Sequence, residues 1–223
     1  MSIKSNLTSI LSSLPSQVKV VVVSKNHTPA EMMEVYRTGH RIFGENRVQE
    51  LVRKYSLMPQ DIEWHFIGHL QTNKVRLLIP LVSMVHSVDS LKLLGEIDRE
   101  ARKADRIIPC LLQFHIATEE TKYGLDIGEA QSLLSSREFG EMKHVIVAGV
   151  MGMATLTGDL ELVRQEFRTL RNYFEQLRSR FFAGSESFRE ISMGMSGDYS
   201  IAVEEGSTMI RIGTIVFKTE IAL

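Results

Sequence analysis

An α/β fold of eight strand–helix units, a (β/α)8 barrel of the TIM type, is what the 223-residue sequence predicts, and three observations predict it. Short apolar runs rich in β-branched residues alternate with amphipathic helical stretches from end to end. Most of these runs are continuously apolar, as strands are when both faces of a parallel sheet are covered. Eight of them can be counted, which favours a closed barrel over an open doubly wound sheet. No proline- or glycine-rich linker, charge block or low-complexity segment divides the chain, so residues 1–223 are expected to form a single domain.

The elements follow in order. Residues 2–14 read as an extra N-terminal helix stopped by Pro15, and residues 18–23 as the first strand. Thr28 and Pro29 open the next helix, with the threonine as cap and the proline at the first helical position. The second strand is expected over 41–44, followed by a helix through Leu51 and Tyr55. The third covers 63–67, with a helix over about 71–79, and the fourth covers 83–87. Asp89 or Ser90 then caps a long helix carrying Leu91, Leu94 and Ile97. The fifth strand is expected over 108–116, with a helix at 127–134, and the sixth over 145–151. The longest helix runs over 159–180. The seventh strand is placed at 190–193 and the eighth at 208–216, with only a short helix, 198–204, between them.

The formal charge of −1 offers no electrostatic case for a nucleic-acid partner. No apolar stretch approaches the roughly 20 residues that span a bilayer. The N-terminus lacks the basic start, apolar core and cleavage site of a signal peptide, so a cytoplasmic location is expected. Cys110, the only cysteine, lies in an apolar run and reads as a buried structural thiol.

Barrels keep their chemistry where the strands end. The candidates are therefore Lys25, Glu45, Asn46, Gly68, His69, Asp89, His115, residues 151–155, Ser196 and residues 211–214. Lys25 follows an apolar run. Enclosed in a dry pocket, its amine would lose its proton more readily and could form an imine with a carbonyl compound; otherwise it snorkels into water. Ser196, Gly213 and Thr214 sit after strands seven and eight, where barrels often bind phosphate; small polar residues there also serve as caps, and Ser196 could cap the helix near Asp198. Arg211 lies inside an apolar strand and needs a partner, either an acid such as Glu204 or Glu205 or a ligand. His65 and His69 have the spacing of helical zinc ligands but bracket a strand end and lack a nearby third ligand, so no metal is expected.

Six motifs in register carry a further observation: Val-Val-Ser-Lys25, Phe-Gly-Glu-Asn46-Arg-Val-Gln-Glu, Trp-His-Phe-Ile-Gly-His-Leu-Gln-Thr-Asn-Lys, Glu-Glu-Thr-Lys122-Tyr-Gly, Gly-Val-Met-Gly-Met-Ala-Thr, and Ser-Met-Gly-Met-Ser-Gly-Asp with Ser-Thr-Met-Ile-Arg-Ile-Gly-Thr. Together, over about residues 18–217, they resemble the pyridoxal phosphate homeostasis family. The resemblance implies a barrel like the N-terminal domain of alanine racemase, with pyridoxal 5′-phosphate (PLP) held as a Schiff base on Lys25. It further implies Asn46 near the phenolic oxygen of the ring, Ser196, Gly213 and Thr214 at the phosphate, and Arg211 facing the pyridine nitrogen. His69, Met151 and Lys122 are secondary candidates, Met151 reading also as core filler and Lys122 as a solvated lysine. Two positions depart from the family: Arg47 stands where tyrosine is common, and Lys218 where glycine is common.

An arginine at the pyridine nitrogen donates a hydrogen bond and leaves that nitrogen unprotonated, which weakens PLP as an electron sink. The eighth strand is expected close to the end of the sequence, so the second domain through which racemases of the resembling fold supply a tyrosine across a dimer is not expected. A monomeric protein that stores PLP or passes it to PLP-dependent apo-enzymes is expected, rather than an enzyme. A racemase or lyase for a small amino acid is one alternative. A PLP-free barrel using Lys25 on a sugar phosphate is the other.

Overall fold

The computed structural model describes residues 2–118 and 123–218. Helix α1 (Ile3–Ser13) precedes the barrel, with Ser2 accepting the Ser5 N–H as its cap. The units then run β1 (Lys19–Val23), α2 (Pro29–Tyr36), β2 (Ile42–Glu45), α3 (Val48–Tyr55), β3 (Glu63–Phe66), a 3-10 turn (Thr72–Lys74) continued by α4 (Val75–Leu78), and β4 (Met84–Val88). They continue with α5 (Leu91–Lys103), β5 (Ile108–Phe114), α6 (Ile127–Leu134), α7 (Arg137–Glu141), β6 (Val145–Gly152), α8 (Leu160–Phe181), β7 (Glu190–Ser192), α9 (Tyr199–Glu204), β8 (Met209–Ile212) and α10 (Thr214–Phe217).

All eight strands are parallel, each pairs with its sequence neighbours, and β8 closes on β1 with Val21 opposite Arg211. This is the closed barrel with an added N-terminal helix that the sequence predicts. Most apolar burial lies between strands and helices, where Val20, Val22, Phe43, Trp64, Phe66 and Leu112 meet the inner faces of the helix ring. Part of the barrel interior is instead a small cluster of Leu111, Ala148 and Met151, packed with Met84 and Met153. Interior space is also taken by hydrogen-bonded polar side chains.

Two local readings are corrected. The eighth strand was expected to run to residue 216, but it stops at Ile212 and the chain turns into α10. A Cβ at Gly213 would lie 2.7 Å from the Val23 carbonyl oxygen, so the chain can press this closely on the end of β1 only without a side chain. Helix α10 then packs against α1. The helix expected over 71–79 is split into a 3-10 turn and a single α turn. Among the described residues, no helix is long and apolar enough to cross a membrane.

Candidate functional site

At the carboxyl end of β1 the chain turns sharply. Ser24 is buried and Lys25 exposed. Asn26 takes a left-handed φ of 65°, which asparagine tolerates better than most residues, and the His27 N–H closes the turn on the Ser24 carbonyl at 3.0 Å. The His27 ring stacks on Phe217 of α10, with centroids 3.7 Å apart. Behind the turn, Lys54 of α3 donates to the Ser24 carbonyl (2.7 Å) and to Glu45 Oε1 (2.6 Å), and the Ser24 hydroxyl donates to the same Glu45 oxygen (2.7 Å). A buried ion pair thus locks the ends of β1 and β2 together, and Lys25 projects from a fixed base.

Opposite Lys25 stand the closing segments. The Gly213 N–H points to Ser196 Oγ at 3.4 Å, and Thr214 begins α10. Ser196 was expected as a candidate cap of α9, but the structure corrects this: Asp198 occupies the cap position, and its Oδ1 accepts the Met195 N–H instead. The Asp198 and Tyr199 N–H groups at the start of α9 both donate to the Met195 carbonyl (3.1 and 2.9 Å).

Arg211 is 4% exposed. It donates to Ser192 Oγ (2.6 Å) and to the Gly152 carbonyl (3.0 Å). Burial pulls its guanidinium down to about 10, while the Asp198 carboxylate acts in the opposite direction. Neither Glu204 nor Glu205 is its partner, contrary to one of the two expectations: both pair with Arg164 of α8, and Glu205 also with Arg168.

These segments surround one cavity of about 430 Å³, which Lys25, Asn46, Ser196, Arg211, Gly213 and Thr214 all line. The six positions chosen from the sequence as principal candidates therefore converge. Asn46 Oδ1 is buried and has no hydrogen-bond partner among the described residues. Thr155 forms part of the wall and is held by the buried Glu166 of α8, which accepts the Thr155 N–H (2.7 Å) and hydroxyl (2.6 Å). Ile67, Met153 and Leu160 supply apolar surface.

Other candidates fall elsewhere. Of the two readings of Lys25 the exposed one holds, and the side chain still lines the cavity. His69 is not part of the cavity lining; it stacks on Tyr123 and lies 3.5 Å from Asp89. Met151 is fully buried in the interior cluster, also outside the lining. Lys122 lies outside the described residues. Arg47 is exposed and 3.7 Å from Glu50. His65 faces a partner the sequence reading did not foresee: its Nδ1 lies 2.9 Å from His86 Nε2, and His86 Nδ1 lies 3.0 Å from Ser192 Oγ. The sequence signal was polar residues interrupting the apolar strands, two in each of β3, β4 and β7.

A closed barrel with an N-terminal helix and its cavity at the strand ends is the architecture of the alanine racemase N-terminal domain, and that family's model matches residues 1–220. The class is also seen in an alanine racemase from Clostridium difficile 630, which shares the fold at 13% identity with a TM-score of 0.75, covering 99% of this chain and 57% of that one. Much nearer is the pyridoxal phosphate homeostasis protein of Aquifex aeolicus, 39% identical over 201 residues, 89% of this chain and 86% of the relative. PipY of Synechococcus elongatus PCC7942, solved without PLP, is 35% identical with a TM-score of 0.91, covering 97% of this chain and 100% of that one. The same protein solved with PLP bound gives a TM-score of 0.88 at 34% identity, with the same coverage. The chain belongs to the pyridoxal phosphate homeostasis protein family.

Proposed function

We propose that this protein holds PLP as a Schiff base on Lys25 and buffers or delivers it inside the cell, so that it affects amino- and keto-acid metabolism indirectly. The observation that carries this reading is the meeting of an exposed lysine, a buried arginine and the Ser196–Gly213–Thr214 cradle around one cavity. The cavity volume suits a small cofactor. The unpartnered Asn46 Oδ1 supplies a buried polar group in want of a ligand, consistent with an amide beside the phenolic oxygen.

In this reading Ser196 and Thr214 offer hydroxyls to the phosphate, and Gly213 keeps the backbone close enough to reach it. Bound PLP supplies an aldehyde for Lys25 and an electron-accepting ring. Arg211 keeps its charge at neutral pH even with burial drawing it down, so it donates to the ring nitrogen and does not protonate it. That favours retention over carbanion chemistry. PLP-dependent apo-enzymes are the proposed recipients, and the carrier is proposed to be a monomer.

Borohydride reduction of PLP-treated protein, followed by peptide mass spectrometry, tests the site. The expected product is a secondary amine joining PLP to the peptide that contains Lys25. Modification confined to other lysines would remove the reading. A panel of D- and L-amino acids tests the carrier role: the cofactor is expected to leave without product, and sustained turnover would make the protein a racemase or lyase instead.

A further inference from the structure

The hydrogen bonds that leave Arg211 away from the cavity continue through the barrel interior, and their direction can be worked out atom by atom. A guanidinium only donates, so Ser192 Oγ accepts from Arg211 Nη1 at 2.6 Å. Ser192 Oγ has a second lone pair, but its buried hydroxyl hydrogen makes no other hydrogen bond among the described residues, and His86 Nδ1, 3.0 Å away, is the acceptor that satisfies it. Nδ1 of His86 accordingly carries no proton, and in the neutral ring Nε2 carries it. That N–H points to His65 Nδ1 at 2.9 Å, which is left bare in turn, so His65 holds its proton on Nε2. The charge of Arg211 therefore sets the polarity of a three-link chain spanning β8, β7, β4 and β3.

We infer that His86 and His65 are positioning residues: acting through Ser192, they hold Arg211 in the orientation in which it meets the ring nitrogen of the bound cofactor. The inference rests on the PLP reading of the cavity. An O–H that donates has a more electron-rich oxygen, so each outward link strengthens the acceptor that faces the arginine. Burial supports the assignment, since it holds the His65 imidazole down to about 3 and the His86 imidazole well below its ordinary value, with the positive charge of Arg211 adding to the effect on His86. Removing the chain takes away the Ser192 hydrogen bond and leaves Arg211 the one to the Gly152 carbonyl among the described residues.

The proton positions are read from nitrogen-15 NMR of histidine-labelled wild-type protein without PLP, from about pH 5.5 to about pH 8. Both Nδ1 atoms are expected as bare pyridine-type nitrogens and both Nε2 atoms as N–H. A proton on His86 Nδ1 in that range would overturn the proposal. The positioning role is read from the spectrum of the PLP-loaded variants. His86→Leu is expected to shift the imine absorption maximum and its pH midpoint and to weaken PLP retention by about tenfold, the scale of one weakened hydrogen bond to a charged group. His86→Asn, whose amide oxygen replaces Nδ1, should restore most of both. Ser192→Ala cuts the chain at a second point and should behave like His86→Leu, which keeps the test decisive if His86→Leu does not fold. A wild-type band with unchanged spectra in the cut variants would overturn the positioning role alone. A wild type that forms no band would remove the PLP reading and this inference with it.

Discussion

Lys25 depends on a pair of residues that never reach the cavity. Glu45 is fully buried, its Oε1 serves both Lys54 and Ser24, and its Oε2 has no partner among the described residues. Lys54→Met would strand a buried carboxylate, and urea unfolding should show a loss of about 3–5 kcal/mol. The double change Glu45→Leu with Lys54→Met should recover much of that, because two desolvated charges disappear together. Gly213 is constrained differently. A methyl group there would overlap the Val23 carbonyl, so Gly213→Ala should cost about 1–3 kcal/mol and weaken PLP retention, measured by dialysis against buffer. The strand-end rule sufficed to name Lys25, Asn46 and Gly213 from the sequence. The Glu45–Lys54 pair escaped it because a lysine on a helix and a glutamate at a strand end give no hint of meeting.

At the scale of elements, the closing turn shows where sequence reading fails. Thr214, Ile215 and Val216 are β-branched and follow an apolar strand, so propensity extends β8 through them. Packing overrides it: Gly213 bends the chain against β1, and α1 receives the short α10 on its flank. Asn6 of α1 makes the attachment specific, donating to the carbonyls of Val216 (3.1 Å) and Lys218 (2.8 Å). Asn6→Ala should lower stability by about 1 kcal/mol and also loosen Thr214, raising the rate of PLP loss in a stopped-flow transfer assay. A variant with normal PLP loss but lowered melting temperature would show that α1 supports the barrel without supporting the site.

For the whole molecule, the fold was legible because eight apolar runs separated by helices leave few arrangements, and parallel closure satisfies every strand edge. The polar chain through the interior was not legible, because His65, His86 and Ser192 meet only once the register of β3, β4 and β7 is set. That chain has a global consequence. His65 stays neutral in the fold down to about 3, mainly through burial, while an unfolded histidine takes a proton near 6.5. The unfolded state therefore binds more protons between these values, and stability falls as pH drops from about 6.5 towards 3, at up to about 1.4 kcal/mol per pH unit for each such histidine. Urea midpoints measured across that range should show the slope, and His86→Asn should flatten it. The most direct test of the central claim is the visible spectrum of PLP-treated wild type beside Lys25→Ala. Wild type should show a visible imine band that Lys25→Ala lacks; a band of equal strength in both proteins would contradict it.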